Sequence, residues 1–183
     1  MLLTAWASCG SPGISGPGKD SAGPALPVQT AQPGERIRAA PSARGIEFVQ
    51  MAAGSSLMAM DLGRLAKQKS GNRRIRGLGS QILREQTALS GRLRIKASDL
   101  GIELPSTEDL RGRRQISALE RDSGRAFDKK FLQVLFEDHR RDLAQFRKAA
   151  DNLNDSALKV FAGTGMMILE EELDSIRSVS GKK

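Results

Sequence analysis

Phe127-Asp128-Lys129-Lys130-Phe131-Leu132-Gln133-Val134-Leu135-Phe136-Glu137-Asp138-His139 is the stretch whose reading decides the fold. Apolar side chains at 127, 131, 134 and 135, and beyond them at 143 and 146, recur at the spacing of one face of an α-helix. His139, the only histidine in the chain, falls on or beside that stripe. One imidazole cannot build a typical transition-metal centre without carboxylate or thiolate help. A ring in this position is therefore either a structural residue of a helical interior or part of a mixed-ligand metal site.

Working outward, the same period returns in four other segments. A helix is expected over about Ile46–Lys69, with Phe48, Ala52, Ala59 and Leu62 on its stripe. Ser70-Gly71-Asn72 breaks it and starts a second over about Arg73–Ala97, carrying Ile75, Leu78, Ile82, Leu89 and Leu93. Gly101-Ile102-Glu103-Leu104-Pro105 cannot continue a helix, and Ser106 with Asp109 makes a capping-box-like start for a short, charged third one, Thr107 to about Arg121. The fourth is expected over about Arg125–Ala150 and the fifth over about Asp155–Val179. No run shows the β-branched alternation of strands. The fold class is all-α: an antiparallel bundle of four long helices plus one short helix in a longer crossover, over residues 45–180.

The N-terminal part reads differently. Residues 10–44 hold six of the seven prolines and few large apolar side chains, so they cannot offset their ordering entropy and are expected to be a disordered Gly/Pro/Ser-rich linker. Before them, residues 1–9 form a short apolar run ending at the only cysteine, Cys9. A lone cysteine excludes an internal disulfide framework. Its place after small residues and before a linker resembles the lipobox of a bacterial lipoprotein, with Cys9 as the lipidated residue. Trp6 stands where a leucine-like residue is usual, and the apolar run is short and lacks a basic start, as a truncated signal would. No stretch approaches the roughly 20 apolar residues of a membrane span, so attachment would be by lipid.

Polar residues interrupt the stripes. Glu85 and Gln86 sit between Ile82 and Leu89, Asp138, His139 and Asp142 lie within about one turn near Leu135, and Glu172 falls between Leu169 and Ile176. Asp61 stands at the edge of the first stripe, beside Leu62. Carboxylates and histidines projecting inward from facing helices are how bundle metal sites are built.

The order of several fragments resembles the family called domain of unknown function 4142. These are Phe48-Val49-Gln50-x-Ala52-Ala53, Asp61-Leu62-Gly63-x-Leu65-Ala66, Gly101-x-x-Leu104-Pro105, Ser123-Gly124-x-Ala126-Phe127-Asp128, Asp138-His139-x-x-Asp142-x-x-x-Phe146 and Leu158-Lys159-x-Phe161-Ala162. The resemblance covers roughly residues 45–178. It implies a ferritin-like helical domain, mostly exported in bacteria, with no common activity. It also exposes departures. Glu85-Gln86 and Glu172 stand where the family pattern has histidines, and Met167 stands where it has a proline. Of the recurrent histidines only His139 remains.

Two readings of the polar set follow. In the favoured one, Gln86, His139 and Glu172 form a hydrogen-bonded layer that fixes helix register. In the other, His139 and Glu172, with Glu85 or Asp61, bind a divalent cation; the Glu-x-x-His pairs of di-iron bundles are missing from the sequence. Met58/Met60 and Met166/Met167 are expected as core filler rather than thioether ligands. Gly163-Thr164-Gly165 is expected to serve close packing or a kink.

The formal net charge is +8, with clusters at Arg73-Arg74-Ile75-Arg76, Arg111-Gly112-Arg113-Arg114 and Arg140-Arg141. Such a surface favours anionic partners: phospholipid head groups, acidic envelope polymers or nucleic acid. Nucleic acid is the least favoured, since no helix-turn-helix or aromatic platform is present and Tyr is absent. No phosphate loop, nucleophile elbow or metal-hydrolase signature supports an enzyme, and no catalytic or cofactor-binding residue is assigned. The expectation is a periplasmic or envelope-bound binding or structural protein, lipid-anchored or exported. The alternatives are a divalent-metal-binding envelope protein and a cytoplasmic nucleic-acid-binding bundle.

Overall fold

The computed structural model describes residues 40–181. Cys9 and the linker up to residue 39 lie outside the described residues. Among the described residues five helices follow one another: α1 (Ala43–Lys69), α2 (Arg73–Leu100), α3 (Leu110–Glu120), α4 (Gly124–Asn152) and α5 (Ser156–Ser180). The expected all-α bundle is observed, and its boundaries follow from local chemistry. Ser42 accepts from the Gly45 N–H and starts α1 at Ala43, so residues 43 and 44, expected in the linker, are helical. Asn72 caps α2 through Arg74, and Asp155 caps α5 through Leu158 at 2.8 Å. Gly101, at φ 65°, closes α2 in the left-handed conformation that glycine adopts without strain.

The third helix departs from expectation. It begins at Leu110 rather than Thr107, because Asp109, not Ser106, caps it by accepting from the Gly112 N–H. Thr107 and Glu108 stay in the loop, where Arg113 donates to the Thr107 hydroxyl and the Glu108 carbonyl.

Contacts order the long helices around the bundle. Ser55 meets Asp142 across α1 and α4, Ser56 meets Gln86 across α1 and α2, and Gln81 meets Ser175 across α2 and α5. With the further pairs Ser70–Asp128, Gly63–Gly79 and Arg74–Ser178, the contacts advance in one helix as they retreat in its neighbour, so each of these neighbours is antiparallel. Short links join α1 to α2 and α4 to α5. The α2–α4 connection must return along the bundle, and it carries α3 against α1 and α4.

The backbones of α1 and α2 touch: a Cβ on Gly63 would lie 2.7 Å from the Gly79 carbonyl oxygen. Gly165 is needed for a similar reason, since its Cβ would lie 2.2 Å from the Phe146 ring, whereas Gly163 faces open space. The expected close packing thus belongs to Gly165 alone.

Two apolar cores fill the interior. One gathers Phe48, Leu89, Leu93, Phe146, Leu158 and Phe161, with Phe48 edge-on to Phe146 at 5.1 Å. The other gathers Leu62, Ile75, Ile82, Phe127, Phe131 and Leu173, with Phe127 stacked on Phe131 at 5.8 Å. Met58 and Met60 are buried as core filler and Met166 packs at the edge of the first core. Met167 does not: it is 65% exposed, a correction to its expected role, because it lies on the opposite side of α5 from Leu169 and Leu173.

Candidate functional site

Between the two cores the interior turns polar. Glu172 on α5 is fully buried and receives two groups: Gln86 Nε2 donates to its Oε2 at 2.8 Å, and His139 Nε2 approaches the same oxygen at 3.1 Å. The His139 contact has ion-pair distance without hydrogen-bond alignment. Ser56 Oγ donates to Gln86 Oε1 at 3.1 Å, so one chain of polar contacts links all four long helices. Among the described residues His139 Nδ1 and Glu172 Oε1 find no hydrogen-bond partner. Burial pulls the His139 pKa down, but the adjacent Glu172 carboxylate, with Asp142 and Asp138, outweighs it, and the net direction is up. The ring is therefore held toward its cationic form beside a buried carboxylate, an arrangement that compensates both charges.

The four expected metal candidates separate. His139 and Glu172 are in contact. Glu85 lies half-buried at the layer's edge, where Gln81 Nε2 approaches its carboxylate at 3.4 Å; burial first, then the charge of Glu172, raises its pKa. Asp61 is engaged elsewhere, paired with Arg64 on its own helix. Among the described residues no three His, Cys, Asp or Glu side chains converge on a point that could hold a metal ion.

A second polar set lies back to back with the first. Asp138 and Asp142, each adjacent to the stripe of α4, point away from the layer and line a cleft of about 790 Å³ between α1, the 103–109 loop, α3 and α4. Ser55 Oγ donates to Asp142 Oδ1 at 2.9 Å, and Arg141 pairs with Asp138 Oδ1. Asp138 Oδ2 is buried and has no partner among the described residues. Burial raises both carboxyls, Asp138 to about 7 with Asp142 pushing the same way, and Asp142 to about 6 against the opposing pull of His139. Sequence reasoning saw these aspartates only as neighbours of the histidine. Their spacing from the stripe was a signal, but the wall they face is built by the crossover.

These features define a class: a four-helix bundle with a crossover helix, a sealed polar layer and an acidic side cleft. The family model described as Domain of unknown function (DUF4142) matches residues 30–179, and the chain belongs to that family. A solved structure described as "Crystal structure of DUF305 fragment from Deinococcus radiodurans" is similar, with a TM-score of 0.70 at 16% identity over 78% of this chain and 99% of that one. At that identity the likeness is one of fold. No curated protein matches the chain.

Proposed function

We propose that this chain is a non-catalytic binding and structural protein of the cell envelope, exported and held there by a lipid on Cys9. The observation that carries the non-catalytic part is the closure of the interior layer. His139 and Glu172 have essentially no solvent exposure, and a general acid or base needs to reach a substrate proton. The open cleft beside Asp138 and Asp142 supports the binding part. The envelope part rests on the order of Cys9, linker and bundle, and on the net charge of +8, which suits an anionic lipid surface or envelope polymer. The unpartnered His139 Nδ1 and Glu172 Oε1 favour one second reading, a divalent-metal-binding protein of the same compartment.

Lipid labelling and membrane fractionation in the native host, on the gene with its upstream DNA, test the proposal beside Cys9→Ser. Label in the membrane fraction that disappears in the variant is expected. A soluble, unlabelled, cytoplasmic protein would sink the envelope reading and bring nucleic acid forward. Elemental analysis of the purified protein separates the second reading: stoichiometric metal that is lost in His139→Ala with the fold retained would replace the first.

A further inference from the structure

The cleft has a charge opposite to that of the protein. On a chain of net charge +8, its lining holds five carboxylates, Asp138, Asp142, Asp109, Glu108 and Glu103, against two arginines, Arg111 and Arg141. Arg141 is already committed to Asp138 Oδ1. The other oxygen of that carboxylate has no partner, although the Asp138 side chain is only 5% exposed. A buried carboxylate oxygen without a partner calls for a donor or a cation. The remaining lining mixes the polar Gln50, Ser55, Thr107 and Gln145 with aliphatic and thioether groups, Met51 and Met58 from α1 and Leu104 and Pro105 from the loop. Thioethers adapt to flexible chains.

We propose that this cleft takes an aliphatic diammonium ligand, of the diamine or polyamine class, with one ammonium docked on Asp138 and Asp142 and the methylene chain along Met51, Met58 and Leu104. An ammonium group is a compact cation with donors only, the match for carboxylate oxygens that can only accept. The second ammonium lies toward Glu103 and Glu108 at the mouth. A bare divalent cation fits less well, because it needs several oxygens converging at about 2.0–2.6 Å, and no such group converges among the described residues. A quaternary ammonium would want an aromatic cage, and no aromatic residue lines the cleft. The inference rests on the binding part of the proposed function and is independent of Cys9.

Isothermal titration calorimetry of the full chain with 1,4-diaminobutane, at low salt and about pH 8, tests it. Saturable one-site binding is expected, weakened about tenfold or more in Asp138→Asn, where a buried charge partner is lost. Glu103→Gln, an exposed change outside the packed interior, should weaken it by about two- to threefold. Glu137→Gln, exposed on the same helix but outside the cleft lining, should leave it unchanged. Absence of saturation, equal affinity in wild type and Asp138→Asn, or displacement of the diamine by equimolar manganese would overturn the proposal. If Asp138→Asn fails to fold, Glu103→Gln decides. A soluble, unlabelled chain that still binds the diamine sinks only the envelope reading, and a lipidated chain that ignores it sinks only this one.

Discussion

Two polar regions of this bundle are made from adjacent residues of the same helices, yet they are opposites. Ser56 and His139 turn inward to Gln86 and Glu172, and Ser55 and Asp138 turn outward to the cleft. The inner set is closed on itself: an acid, a base and an amide share one oxygen, and the charges cancel where water is excluded. The outer set is open and only partly partnered: Arg141 pairs with Asp138, Ser55 donates to Asp142, and among the described residues one Asp138 oxygen has no partner. Polarity inside a bundle therefore does not identify a site by itself. What separates the two is access: His139 and Glu172 are shut away from solvent, whereas Asp138 and Asp142 line an open cleft.

The largest expected effect tests the closed region. His139→Ala removes a fully buried ring and leaves Glu172 as an uncompensated buried charge, so urea unfolding should show a loss of about 3–5 kcal/mol. Asp138→Asn, one residue away, should stay within about 1 kcal/mol of wild type at about pH 8, since it removes a charge that burial already disfavours. Equal losses in the two variants would break the distinction.

Next in size is the response to pH. The folded-state values of Asp138, about 7, and Asp142, about 6, both lie above the ordinary 3.8. Between roughly pH 4 and 7 the folded chain therefore binds protons that the unfolded chain has released, and stability falls as pH rises through that window. His139 acts in the same direction: its raised value gives stability that is present below its ordinary 6.5 and lost as pH rises through the folded value. The groups facing this cluster are Arg141 on α4, Arg111 on α3 and Asp109 at the start of α3. The unfolding free energy from urea titrations at constant ionic strength should fall between about pH 5 and 8, by on the order of 2 kcal/mol. In Asp138→Asn/Asp142→Asn the fall below about pH 6.5 should vanish, leaving the part that His139 supplies. A flat or rising wild-type profile would mean that the cleft carboxyls are ordinary surface acids.

How much of this was legible in the chain differs between the same two regions. Periodicity placed the four long helices because each buries one continuous stripe, and Ser70-Gly71-Asn72 marked the α1–α2 turn to the residue, between Lys69 and Arg73. The closed layer could be read as well, since Gln86, His139 and Glu172 each interrupt an apolar stripe and have only the interior to face. Asp61 shows the limit of such reading: at the edge of its stripe it met Arg64 on its own helix instead of the layer. The cleft was not legible. Its far wall is Glu103 to Asp109 together with α3, and where a crossover lies against α1 and α4 is a tertiary outcome with no local period. The start of α3 was missed for a related reason: Ser106 and Asp109 are both competent caps, and the choice fell to Asp109 while Arg113 held Thr107 and Glu108 in the loop.

The smallest effect is also the most direct comparison, because it uses neighbouring serines and the same chemical change. Ser56 is 2% exposed and its hydroxyl is the donor to Gln86 Oε1, the amide that in turn donates to Glu172. Ser56→Ala leaves that acceptor buried without its donor, and should cost about 1–2 kcal/mol in urea unfolding. Ser55 donates to Asp142 Oδ1 from the wall of the cleft, where water can replace a lost hydroxyl, so Ser55→Ala should cost less than about 0.5 kcal/mol. Its signature should appear in titration instead: the Ser55 hydrogen bond holds the Asp142 pKa down, and removing it should move that carboxyl further up. NMR titration of the carboxyl carbons reads the second effect and unfolding reads the first. If Ser55→Ala proves as costly as Ser56→Ala and leaves Asp142 unmoved, the cleft is as closed as the layer behind it, and its aspartates are structural after all.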